Sequence, residues 1–136
     1  MSHLGLTDFE FEKKLSDCTL DPSIFSHEAH LRLAWIHIEK YGVEKAVNNV
    51  KALIRQYVKA LDAEDKYNET VTVASVRAVN HFIKKSKTRN FNQFIKENKQ
   101  LAHNLKGLLS SHYKTNIFES VTAKKQFIAP DLEPFN

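Results

Sequence analysis

The stretch Val43-Glu44-Lys45-Ala46-Val47-Asn48-Asn49-Val50-Lys51-Ala52-Leu53-Ile54-Arg55-Gln56-Tyr57-Val58-Lys59-Ala60-Leu61 decides the fold class. Val43, Ala46, Val47, Val50, Leu53, Ile54, Tyr57, Val58 and Leu61 recur at helical spacing, with Glu44, Lys45, Asn48, Asn49, Lys51, Arg55, Gln56 and Lys59 between them. One apolar stripe with polar residues opposite is the mark of an amphipathic helix with one face in a core. Gly42, just before it, ends a preceding helix from about Ser26 to Tyr41, in which Leu31, Ala34, Trp35, Ile38 and Tyr41 keep the same period.

Further out the pattern stays helical. Thr7 with Glu10 three residues on is a capping-box pair, which predicts a short helix from Asp8 to Leu15 burying Phe9 or Phe11 with Leu15. Beyond the charged turn 62–66, a helix is expected from about Asn68 to Lys85. Its start, Val71-Thr72-Val73, is β-branched and competes for strand, but its length and its continuation through Ala78, Val79, Phe82 and Ile83 favour helix. Apolar residues cover more than half its circumference, so it is expected to be the most buried helix. Shorter helices are predicted from Phe91 to Asn98, from Leu101 to His112 and from Asn116 to Phe127. The expectation is an all-α chain: one domain over residues 1–136, a bundle of five or six helices.

Composition agrees and narrows the function classes. Hydrophobic residues make up 42% and charged residues 26% of 136, values of a globular chain and not of a disordered one. Three Gly and three Pro are too few for a turn-rich β architecture. No apolar run approaches the roughly 20 residues of a membrane span, and no basic start followed by an apolar run marks a signal peptide. Cys18 is the only cysteine, so no disulfide forms within the chain. The cytoplasm is the expected compartment. The net charge of +4 is mild. The basic run Lys84-Lys85-Ser86-Lys87-Thr88-Arg89 suits the negative end of a helix and a solvated loop, and the aromatics are not interleaved with basic residues, so nucleic-acid binding is not expected. Gly-rich phosphate loops, CxxC, HExxH and GxSxG are absent.

The candidate chemistry lies in Phe25-Ser26-His27-Glu28-Ala29-His30-Leu31-Arg32-Leu33-Ala34-Trp35-Ile36-His37. At roughly 100° per residue, His27, His30, Ala34, His37 and Tyr41 fall within a sector of about 80°, beside the core-facing Leu31, Trp35 and Ile38. Neutral imidazoles three residues apart can share one Zn, Fe, Cu or Ni ion; the same residues also serve as fillers at the rim of a core. Glu69, on a stripe with Val73, Val76 and Ile83, is directed at other helices, where a carboxylate needs a metal, a histidine or Arg32 as partner. His112 either caps a helix end or folds back to join the group. His81 lies about 18 Å from Glu69 by helical rise, and His3 and His103 read as terminal and surface residues.

Several of these stretches resemble the marks of a family of small bacterial all-helical proteins with no assigned activity. They are the F-S-H-x-x-H-L-R-L-A-W run from Phe25 to Trp35, Tyr67-Asn68-Glu69-Thr70-Val71-Thr72, the late pair His112-Tyr113, and Phe127-Ile128-Ala129-Pro130-Asp131-Leu132. The resemblance covers most of the chain from Phe25 onward. It implies a histidine in relatives at the position of Asn68, and it draws His27, His30, Glu69 and His112 together.

Two functions from different classes follow. The first is a divalent metal site of Zn, Fe or Cu, with His27, His30, Glu69 and His112 as ligands, Arg32 and Tyr67 supporting them, and a small-molecule substrate for oxidoreductase or hydrolase chemistry. The second is a non-enzymatic interaction or oligomerisation module, in its simplest form a homo-oligomer, whose His/Glu cluster is a buried polar network.

Overall fold

The computed structural model describes residues 2–135. It holds eight α-helices and, among the described residues, no strand. They are α1 (Asp8–Ser16), α2 (His27–Tyr41), α3 (Val43–Ala60), α4 (Glu69–Lys85), α5 (Phe91–Glu97), α6 (Lys99–His103), α7 (Leu105–Ser110) and α8 (Val121–Lys125). Single 3-10 turns stand at His3–Gly5 and Glu64–Lys66. Among the described residues no helix is long and apolar enough to cross a membrane.

α2, α3 and α4 pack against one another and form the centre. The turn between α2 and α3 is Gly42 alone, at φ +84°, a backbone conformation that L side chains rarely adopt. α3 buries Ala46, Val47, Val50, Ile54 and Tyr57, five of the nine residues of the stripe read from its spacing; Val43, Leu53 and Val58 are half-buried and Leu61 is exposed. The Tyr57 hydroxyl donates to the Leu20 carbonyl at 2.7 Å and ties the connection after α1 to the core. The capping box at Thr7 and Glu10 is formed, and of the two candidate phenylalanines Phe11 is buried while Phe9 is exposed.

The most deeply buried helix is α2, not α4. Nine of its fifteen residues are buried, including every one from Leu31 to Ile38, against seven of seventeen in α4. Arg32 and His37 are polar, yet both are buried. Here the N-terminal segment and α1 cover them and bring polar partners to match.

The C-terminal third is more broken than its spacing suggests. The helix expected over Leu101–His112 divides into α6 and α7 at Asn104, whose φ of −144° is not helical. Of Asn116–Phe127 only Val121–Lys125 is helical. Asn116 accepts the Phe118 amide on its own side chain, and Ser120 caps α8 by accepting from Ala123. Short polar side chains that bond the nearby backbone compete with helix, and Asn116 and Ser120 do so before α8; the break at Asn104 has no such side-chain bond.

Candidate functional site

The Phe25–His37 segment enters α2 through a tight local arrangement. The Ser26 hydroxyl accepts the Ala29 amide as the N-cap. The Ser26 carbonyl accepts twice from His30, from its amide at 3.1 Å and from ring Nδ1 at 2.8 Å. Phe25 stacks on the His30 ring, with centroids 3.8 Å apart and planes at 17°. One turn earlier, His27 Nε2 lies 3.2 Å from the Leu101 carbonyl, which ties α2 to α6.

These two histidines line a cleft of about 600 Å³. Its walls come from α2 (Leu31, Ala34), α3 (Val50, Ile54) and α4 (Val71, Val76), with Lys106 and Phe118 at the far side. A second cleft of about 370 Å³ shares the lining residues His30, Ile54, Val71 and Thr72 with it, so His30 borders both. Burial pushes the His30 pKa below its ordinary value; the Ser26 carbonyl opposes that shift and nearby His27 adds to it. The ring is therefore held toward its neutral form.

Glu69 is elsewhere and already occupied. Its Oε1 accepts from the Tyr67 hydroxyl at 2.6 Å and from Arg55 at 3.1 Å, and Lys51 Nζ lies 2.6 Å from Oε2. Burial works against its charge, but the hydrogen bonds from Lys51 and Tyr67 and the charges of Lys51 and Arg55 outweigh it and hold the carboxyl below the usual carboxylate range. Burial, followed by the bond to Glu69, pushes the Tyr67 phenol well up. The Arg55 guanidinium also sits 5.0 Å from the centre of the Tyr67 ring. Of the expected supporting groups, Tyr67 does meet Glu69. Arg32 does not.

Arg32 instead fastens the N-terminal segment. Buried, it donates to the carbonyls of His3 (2.6 Å) and Leu6 (2.8 Å) and to Asp8 Oδ1 (2.8 and 3.2 Å). It also lies 3.2 Å from His3 Nδ1, while His3 Nε2 is 2.9 Å from Glu28 Oε1. His3 is 2% exposed, and so is not the free terminal residue its position suggests. His37 is buried as well, its Nε2 2.9 Å from Glu12 Oε1 at ion-pair distance and its Nδ1 facing the Asn49 amide at 3.3 Å. Glu12 also holds Lys40 at 2.6 Å. Burial pushes the His37 pKa down despite Glu12.

His112 serves the C-terminal tail. Its Nδ1 donates to the Glu133 carbonyl at 2.6 Å, its ring stacks on Phe135 at 4.1 Å, and its carbonyl accepts the Leu132 amide. Tyr113 donates to the Ile128 carbonyl. The Tyr67–Thr70 motif is likewise accounted for. Asn68 caps α4 and donates to the Ile117 carbonyl, and Thr70 donates to Gln126 and accepts from the Ile128 amide.

The metal reading is thereby overturned. Among the described residues no group of three or more His, Cys, Asp or Glu side chains is placed to hold a metal ion. Of the four expected ligands only His27 and His30 share a space; Glu69 is neutralised by two cations and a phenol, and His112 is engaged with the tail. The expectation of Zn, Fe or Cu chemistry rested on that cluster. The second reading, a buried polar network, fits better. No family model, curated protein or solved structure matches the chain.

Lys51, Arg55, Glu12 and Asn49 complete these networks and were not singled out from the sequence. For Lys51 and Arg55 a signal exists: both lie on α3, the helix that leads through a short turn to Glu69, and a carboxylate on a buried stripe requires cations within reach.

Proposed function

We propose that this chain is a non-enzymatic helical binding module whose polar residues hold the fold and whose working surface is the cleft between α2, α3 and α4. The single observation that carries this reading is the division of labour. The striking polar residues of the sequence are engaged internally, whereas a mainly apolar space of about 600 Å³ stays open beside His30. A space of that size, apolar with a few convergent polar groups, is where a small molecule is taken up. The same reading takes the chain as a member of the bacterial helical family that its Phe25–Trp35 and Tyr67–Thr70 stretches resemble. In that reading those motifs build the walls and fastenings of the cleft.

The test is thermal melting with a panel of small aromatic compounds, for wild type and for Val71→Trp, which fills the cleft from a half-buried wall position. A ligand that binds only the folded state stabilises it by about 2.7 kcal/mol at a hundredfold excess over its Kd. At least one uncharged member should raise the wild-type melting temperature and leave Val71→Trp unmoved. No shift for any member, or equal shifts in both proteins, would rule the cleft out as the working surface.

A further inference from the structure

The protons around the cleft can be assigned one by one, because carbonyl oxygens only accept. His30 Nδ1 carries its proton toward the Ser26 carbonyl, so in the neutral ring Nε2 is a bare lone pair. Among the described residues Nε2 has no hydrogen-bond partner, and it is not fully enclosed; the fully enclosed side-chain atom without a hydrogen bond is His37 Nε2 instead. With Nδ1 turned back to Ser26 and the ring lining both clefts, Nε2 opens into them. His27 Nε2 likewise carries its proton toward the Leu101 carbonyl. On α4 the Thr72 hydroxyl donates to the Asn68 carbonyl at 2.7 Å and the Ser75 hydroxyl to the Val71 carbonyl at 2.6 Å, which leaves oxygen lone pairs on the cleft side. The α2 and α4 walls therefore offer acceptors without a free donor. No Asp or Glu lines the cleft; its side-chain donors, His103, Asn104 and Lys106, come from the 102–106 stretch and not from the α2 and α4 walls.

We propose that the cleft takes a small, uncharged, largely apolar molecule bearing one hydroxyl or N–H group, of the phenol or indole kind, which it donates to His30 Nε2. An ammonium ion would meet no counter-charge there and would face Lys106; an ionised carboxylate could pair with Lys106 but has no proton to give to His30 Nε2, Thr72 or Ser75. An aromatic hydrocarbon would fill the space but cut the imidazole acceptor off from water without giving it a partner, a cost that selects for the donor-bearing ligand. The inference rests on the cleft being the binding surface and adds what the ligand must carry.

Phenol and toluene are near-isosteric and differ in the donor. Their dissociation constants are measured by NMR titration for wild type and for His30→Phe, which keeps the stack on Phe25. The preference for phenol relative to toluene should fall about five- to tenfold in the variant, the worth of one neutral hydrogen bond. On ¹⁵N-histidine-labelled wild type, His30 Nε2 should give the signal of an unprotonated ring nitrogen, and that signal should move with phenol and not with toluene. This second measurement decides the matter if His30→Phe fails to fold. Both compounds binding at the cleft with an unchanged ratio and an unmoved Nε2 signal would overturn the donor requirement while leaving the cleft as a binding surface. Neither compound perturbing the cleft would overturn both.

Discussion

The Ser26 carbonyl accepts two hydrogen bonds from one residue, the backbone amide of His30 at 3.1 Å and its ring Nδ1 at 2.8 Å. The ring is thus fixed to the first turn of its own helix while its other nitrogen faces open space. A histidine three residues after another at a helix start looks like half of a metal site. Here the same spacing places one imidazole on its own backbone and the other on the Leu101 carbonyl.

Stability should rise with pH through the range just below His30's ordinary value of 6.5. Burial lowers the folded-state pKa, so on acidification the unfolded chain binds the proton first and gains on the folded one. The contribution is complete above about pH 6.5 and is lost as pH falls toward the folded pKa. Burial lowers the His37 and His81 values in the same direction. Melting temperatures between about pH 7 and pH 5 should fall in wild type and fall less in His30→Phe. An identical slope in the two proteins would count against a buried neutral His30.

Glu69 should matter for stability alone. It is 6% exposed and compensates Lys51, whose side chain is 26% exposed, and Arg55, whose is 54%. Glu69→Ala leaves the Lys51 ammonium short of a partner and should cost about 2–3 kcal/mol in urea denaturation, with Arg55 adding little because it is well solvated. A cycle with Tyr67→Phe should show a coupling of about 1 kcal/mol. Stoichiometric zinc, iron or copper should not raise the melting temperature of either protein. A rise in wild type that Glu69→Ala abolishes would restore the metal site.

Thr70 is the fastening of the C-terminal tail to α4. Its side chain is buried, donates to the Gln126 carbonyl at 2.9 Å and accepts the Ile128 amide at 3.0 Å. Thr70→Val keeps the shape and removes both bonds, and the orphaned groups should cost about 1–3 kcal/mol. Hydrogen exchange should quicken at Ile128 and at Leu132, whose amide donates to His112, before it quickens in α3. Uniform acceleration throughout the chain would show that the tail is not a separate unit.

What could be read in advance follows from how local each cause is. The α3 helix, the Gly42 stop, the capping box and the helix starts near Ser26 and Asn68 depend on residues within a few positions of each other, and all are present. The depth of α2 is not local. Arg32 and His37 are polar, and only the return of residues 3–12 over that face, with His3, Asp8 and Glu12 in place, buries them. The destination of Glu69 was half visible: its need for a partner was plain, but choosing Lys51 and Arg55 over Arg32 required the packing of α3 on α4. The cleft left no mark in the sequence, because it is the volume that side chains from α2, α3, α4 and the 102–106 stretch do not fill.

The most direct measurement is a methyl-labelled NMR titration of the wild-type chain with phenol, read at Val50, Ile54, Val71 and Val76, which lie on the α3 and α4 walls. The largest saturable shifts are expected at those four residues, with Val121 and Leu132, exposed elsewhere on the surface, left unmoved. Shifts confined to Val121, Leu132 or other exposed apolar residues, or no saturable shift at the four wall residues, would contradict the cleft as the surface on which this protein works.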